Sequence, residues 1–128
     1  MIKLGTQVFL HDNSGAYSLK VINLKKCFFN SYSTISDLIF GVIIDHNIFK
    51  KKIRLKRKNK VIALVVCVKK TINRQNGCFL RFSLNRCIPL KITRFIVPVA
   101  QRVFTCTSFE LKRLKKFKSV IRFSGKSY

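Results

Sequence analysis

The stretch ALVVCVKKTINRQNGCFLRFSLNRCI, residues 63–88, decides the fold. It opens as an apolar, β-branched run and passes through Asn76-Gly77. It closes with phenylalanines alternating with basic and polar residues. Asn-Gly between alternating hydrophobic segments is the strongest short-range hairpin signal a sequence offers. Strands are therefore expected over 61–70, 79–84 and 87–92. Working outward, alternation and β-branched content predict further strands over 6–10, 17–24 and 37–44. Between the first two, His11-Asp12-Asn13-Ser14-Gly15 supplies turn chemistry, because Asp and Asn bond their own backbone and Gly accepts positive φ. Short strands separated by turns at this spacing predict a small β-barrel or sandwich.

The composition fits one domain. At 128 residues with 48% hydrophobic content and 12 Phe, the chain has enough apolar material for a core and is too hydrophobic for wholesale disorder. No internal repeat or linker divides it, so residues 1–128 are read as a single unit, a barrel over about 1–97 followed by a helical part over about 98–128. The longest apolar run, 61–68, is far shorter than the roughly 20 residues of a membrane-spanning helix. The N-terminus carries an acid at position 12 and enters strand-like alternation at once, so neither a signal nor a transit peptide is expected.

Charge names the class of partner. Lys and Arg number 27 against 4 Asp and Glu, a net charge of +23. Such self-repulsion in a compact chain is relieved by a polyanion, and nucleic acid fits better than a membrane surface. The run KKKIRLKRKNK at 50–60 holds eight cations among eleven residues. Lying between two expected strands, it should project from the barrel as a loop or hairpin and serve as the main electrostatic anchor. In the last third, Thr107-x-x-Glu110 reads as a capping box. Phe109, Leu111, Leu114, Phe117 and Val120 then fall near helical spacing among basic residues, which predicts a short amphipathic helix. The preference for Lys, Ile, Phe and Asn over Ala and Gly hints at an AT-rich gene of the kind organelles carry.

Catalytic chemistry has little to stand on. Asp12, Asp37, Asp45 and Glu110 are the only carboxylates, and each falls where a turn, a strand end or a helix cap uses one. The five cysteines form no CxxC pair and the two histidines lie away from them, so no metal site and no cofactor are expected. Buried reduced thiols are the expected state. Cys67 and Cys87 sit inside apolar strand runs where a thiol is inert, and Phe79 and Phe82 are read as core residues of a half-buried strand.

The segment 63–88 has a small residue and three aliphatics, nine intervening residues, Asn76-Gly77, four residues, Phe82, two residues, Asn85, two residues and Ile88. This ordered spacing resembles the signature of the universal ribosomal large-subunit protein family numbered fourteen. Asp12-Asn13-Ser14-Gly15-Ala16 looks like the family's turn after its first strand. Thr93-Arg94-Phe95, Pro98-Val99 and the basic-aliphatic KFKSV resemble its later elements. The sequence departs from the family in having Asn59-Lys60 for a Gly-Asp pair, Leu84 for a Gly, and a longer segment between Pro98-Val99 and Glu110-Leu111. The resemblance implies a five-stranded barrel with a projecting β-ribbon and short C-terminal helices. It implies large-subunit rRNA as ligand, small-subunit rRNA across an intersubunit bridge, neighbouring large-subunit proteins, and docking of a ribosome-silencing factor. Family positions and local charge together make Asn13, Ser14, Gly15, Lys50, Lys51, Lys52, Arg54, Lys56, Arg57, Lys58, Lys60, Lys69, Lys70, Arg74 and Arg81 the candidate RNA-binding residues. The resemblance alone puts Thr93, Arg94 and Lys116 toward the silencing factor. The insertion and the added charge suit a divergent mitochondrial ribosome, with a plastid or a bacterial cytoplasm as the alternative.

Overall fold

The computed structural model describes residues 1–25, 32–47, 54–94, 96–100, 102–104 and 106–113. Five strands form the body: β1 (Gln7–Leu10), β2 (Ala16–Leu24), β3 (Leu38–His46), β4 (Lys60–Cys67) and β7 (Arg86–Ile92). Neighbours along this series pair antiparallel, and β1 returns to β7 in parallel through Phe9↔Arg86 and Leu10↔Cys87. That return closes a five-stranded barrel and removes the open edges a sheet would otherwise present. The expected fold class is therefore present.

Alternation sets which side chains go inside. In β1 only Val8 and Leu10 are buried, and in β3 Ile39, Gly41 and Ile43 point inward. β4 departs from alternation, because residues 63–67 are buried on both faces. The Cys67 thiol donates to the Cys106 carbonyl at 3.3 Å, which puts the C-terminal segment against the outer face of this strand. Leu111 joins the same core cluster.

The second edge of β7 is shared. Its start pairs with β1, and its end pairs with β8 (Ile96–Pro98) through Leu90↔Pro98 and Ile92↔Ile96. Pro89 sits between the two partners. Val99 N–H donates to the Pro89 carbonyl at 3.0 Å, so the missing proline amide lies on this shared edge and the β4–β7 ladder loses nothing.

The ribbon comprises β5 (Ile72–Asn73) and β6 (Phe79–Leu80). β4 ends at Cys67, sooner than its apolar run suggests, because its register against β7 shifts after Val65. The Lys69 amide is then taken by the Asn85 side chain at 2.8 Å. The Asn76-Gly77 hairpin exists with a three-residue loop. Gly77 N–H donates to the Arg74 carbonyl at 3.0 Å, Arg74 N–H to the Cys78 carbonyl at 2.9 Å, and Gly77 has φ +75°. This is a turn followed by a left-handed glycine, the G1-bulge solution. Phe82 packs on the core as expected. Phe79 does not: it is 72% exposed, because a two-stranded ribbon has no second layer over its outer face.

The C-terminal part also differs. Residues 99–108 contain no helix among those described, and α1 (Glu110–Arg113) begins at Glu110. The segment instead runs beside the β1–β2 turn, with Asp12↔Val103 as an antiparallel bridge. Of the expected helical positions, Leu114, Phe117 and Val120 lie outside the described residues.

Candidate nucleic-acid interface

The β-registers sort the candidate cations into two groups. Arg54, Lys56, Arg57, Lys58 and Lys60 are exposed at the base of the β3–β4 connection. There Ile43 N–H donates to the Asn59 carbonyl at 3.1 Å and Lys58 N–H to the Ile43 carbonyl at 2.9 Å. Lys58 takes a left-handed φ of 68°, an uncommon conformation for a lysine. Lys50, Lys51 and Lys52 lie outside the described residues. The second group, Lys69, Lys70 and Arg81 with Arg74, follows the other end of β4. At about 3.4 Å per residue the two groups stand roughly 30 Å apart.

The first end gathers more than the basic run. Because Ile62 pairs with Leu90, the exit of β7 lies beside the start of β4. The exposed Thr93 and Arg94 therefore share this end, and Lys91 lines a shallow groove with Lys60 and Arg54. Lys91 escaped the sequence reading. It is exposed at the exit of β7, beyond the buried residues 87–90, and its nearness to Lys60 depends on the β4–β7 register. Arg54 N–H donates to the Ser14 carbonyl at 3.0 Å and Arg54 Nη1 to the Val99 carbonyl at 2.6 Å, which ties the β1–β2 turn to the same end. Within that turn Asn13 is exposed, while Ser14 and Gly15 are buried. The Ser14 hydroxyl and amide both donate to Asp12 Oδ1. Ser14 and Gly15 thus shape the turn, and of these three candidates only Asn13 offers a side chain at the surface. Lys116 lies outside the described residues.

All four carboxylates are engaged inside the protein. Asp12 holds Ser14, Asp37 Oδ2 accepts from the Thr34 amide at 2.6 Å, and Asp45 Oδ2 accepts from the Ser18 hydroxyl at 2.9 Å. Glu110 receives both arms of Arg74, Nε to Oε1 at 2.7 Å and Nη2 to Oε2 at 3.1 Å. The Arg74 hydrogen bond lowers the Glu110 pKa from the usual carboxylate value, against a smaller desolvation effect. Glu110 is the first residue of α1 rather than the third of a helix capped by Thr107, its carboxylate forms a ribbon-to-helix clamp, and Arg74 is the one candidate RNA contact whose guanidinium has a carboxylate partner.

The two strand thiols, Cys67 and Cys87, are held in their protonated form. Burial pushes Cys67 up to about 11, with the nearby Arg86 opposing it, and burial drives the fully enclosed Cys87 well above the usual thiol value. Cys78, on the ribbon turn, is exposed, contrary to the expectation of buried thiols. Turn residues lie outside any packed layer.

The family model for ribosomal protein L14p/L23e matches residues 1–127. The chain belongs to this family. A large ribosomal subunit protein uL14 from Petrotoga mobilis (strain DSM 10674 / SJ95) is 30% identical over 115 residues, covering 88% of each chain. As a member of L14p/L23e, the protein is a structural component of the large ribosomal subunit and not an enzyme. The L14p/L23e assignment gives the cations at the two barrel ends a setting in which polyanion is everywhere at hand.

Proposed function

We propose that this L14p/L23e protein is an rRNA-binding clamp of the large subunit of an organellar ribosome, most simply a mitochondrial one. Its two cationic ends meet separate stretches of rRNA. One observation carries the reading: every carboxylate is engaged within the fold while both ends of β4 present exposed Lys and Arg. Cations without acidic neighbours are neutralised by phosphates, which release condensed counterions on binding. Phosphate contacts of this kind position a protein, and selectivity for folded RNA follows from shape and 2′-hydroxyls. Family position adds three finer assignments: contact with small-subunit rRNA in an intersubunit bridge, packing against neighbouring large-subunit proteins, and a silencing-factor surface at Thr93, Arg94 and Lys116. Mitochondrial residence rests on the AT-rich residue preference and the inserted segment. The test is sedimentation of tagged native protein from a mitochondrial extract through a high-salt sucrose gradient. Co-migration with large subunits and joined ribosomes is expected; release into light fractions as salt rises would make it a dissociable RNA-binding factor.

A further inference from the structure

The segment after β8 helps to build a cleft beside the β1–β2 turn. Residues 102–104 lie antiparallel to 11–13, with Asn13 N–H donating to the Arg102 carbonyl at 3.1 Å and Phe104 N–H to the His11 carbonyl at 2.9 Å. Val103 is buried as the anchor, while Phe104 is 58% exposed and its ring meets His11 edge-to-face at 6.1 Å and 85°. Backbone pairing on one side and the imidazole on the other hold the Phe104 ring in place. Across the cleft stand Phe9 and Tyr17, both exposed, and the Tyr17 hydroxyl accepts from Asn47 Nδ2 at 3.0 Å. Arg86, the β7 residue opposite Phe9, also lines the cleft, and its Nε is buried without a hydrogen-bond acceptor. The cavity is about 460 Å³, within the range of small-ligand sites.

We propose that this cleft captures an unpaired RNA base, which stacks on Phe104 and Tyr17 while the Arg86 guanidinium meets the adjoining phosphate. This deepens the rRNA-binding reading and rests on it. Every base has a π-face, so exposed aromatic rings beside a cation form a sequence-tolerant stacking platform. An apolar peptide would cover the rings but leave the buried Arg86 donor without an acceptor, a costly arrangement. A phosphate supplies one. The single carboxylate at the cleft, Asp12, is already turned to Ser14. Desolvation first, and Arg86 second, lower the His11 pKa, which favours the neutral imidazole that packs against Phe104.

The full-length chain is titrated against an unstructured RNA dodecamer and a duplex of equal length, by fluorescence anisotropy at fixed salt. Phe104→Ala should weaken the single strand roughly 5- to 100-fold, the effect of losing one stacked base, and leave the duplex unchanged. Phe104→Tyr should retain binding, which separates stacking from folding, and Arg86→Gln should reduce the single-strand salt slope by about 0.7. Equal single-strand affinity of the wild type and Phe104→Ala, both still salt-dependent, would overturn the cleft proposal and leave the rRNA reading standing. A wild type that binds neither RNA would overturn both. Loss of a neighbouring large-subunit protein from Phe104→Ala subunits, with RNA affinity intact, would make the cleft a protein socket and also overturn the proposal.

Discussion

Neutralising one end of the barrel at a time should divide the salt dependence of RNA binding into two separable parts. Lys56→Gln/Arg57→Gln/Lys60→Gln removes three exposed cations at the β3–β4 end, and Lys69→Gln/Lys70→Gln/Arg81→Gln removes three at the ribbon end. For a duplex ligand each phosphate contact contributes about 0.9 to the slope of log K against log salt, so three contacts contribute about 2.7. Between 50 and 200 mM salt, either triple variant should therefore lose about 40-fold less affinity than the wild type. The two groups are separated along β4 by roughly 30 Å, several times the Debye length of about 8 Å at physiological salt. Their effects should consequently add in the sextuple variant. The assay is equilibrium binding to a large-subunit rRNA fragment long enough to reach both ends, over that salt range. Circular dichroism and thermal melts serve as controls, and exposed substitutions of this kind should leave stability within about 0.5 kcal/mol. An unchanged slope for either triple would show that those cations face solvent in the complex. A sextuple slope equal to one triple would refute the two-contact geometry.

Two further outcomes test the fold. Gly41→Ala should destabilise the barrel by about 1–3 kcal/mol and lower the melting temperature by several degrees, because a Cβ there would meet the Leu19 side chain and stand 2.8 Å from the Lys20 carbonyl oxygen; an unchanged melt would mean the β2–β3 pairing is looser than described. Glu110→Gln should matter only where the carboxylate is charged. Its folded pKa lies below the unfolded value of about 4.3, so the stabilisation is present above that pH and lost as pH falls through the folded pKa. Melting curves of wild type and variant should therefore differ near neutral pH and converge in acid, and a gap that persists in acid would assign the effect to packing.

How much of this was legible in the residues depends on the range of the interaction. Alternation is local, and it marked the cores of β1, β2, β3, β4 and β7 to within a few residues. The ends were set by events between strands. β4 stops where its register against β7 shifts and Asn85 takes the Lys69 amide. β8 is three residues long and exists because β7 has a free edge beyond Pro89. Phe79 shows the same limit, since alternation identifies a face but cannot say whether another layer covers it. In the candidate interface charge was legible, and the expected strand over 61–70 already separated the run 50–60 from the ribbon cations. Which other cations join the first group was not legible, because only the β4–β7 register brings Lys91 beside Lys60.

The acids explain why so cationic a chain can still fold. A net charge of +23 opposes compaction, and four carboxylates cannot neutralise it. Each is placed where one contact organises a junction: Asp12 the β1–β2 turn, Asp37 the entry to β3, Asp45 the β2–β3 pair, Glu110 the ribbon against α1. Part of the remaining repulsion falls at the two ends of β4, where Lys and Arg are exposed, and RNA bound there as proposed would relieve it. Salt must then act with opposite signs on the two states of the protein. Screening eases repulsion in the free chain, while the same ions compete for the phosphates that hold the bound one. Because a ligand that binds the folded state alone stabilises it by mass action, RNA bound as proposed would raise the stability of this barrel.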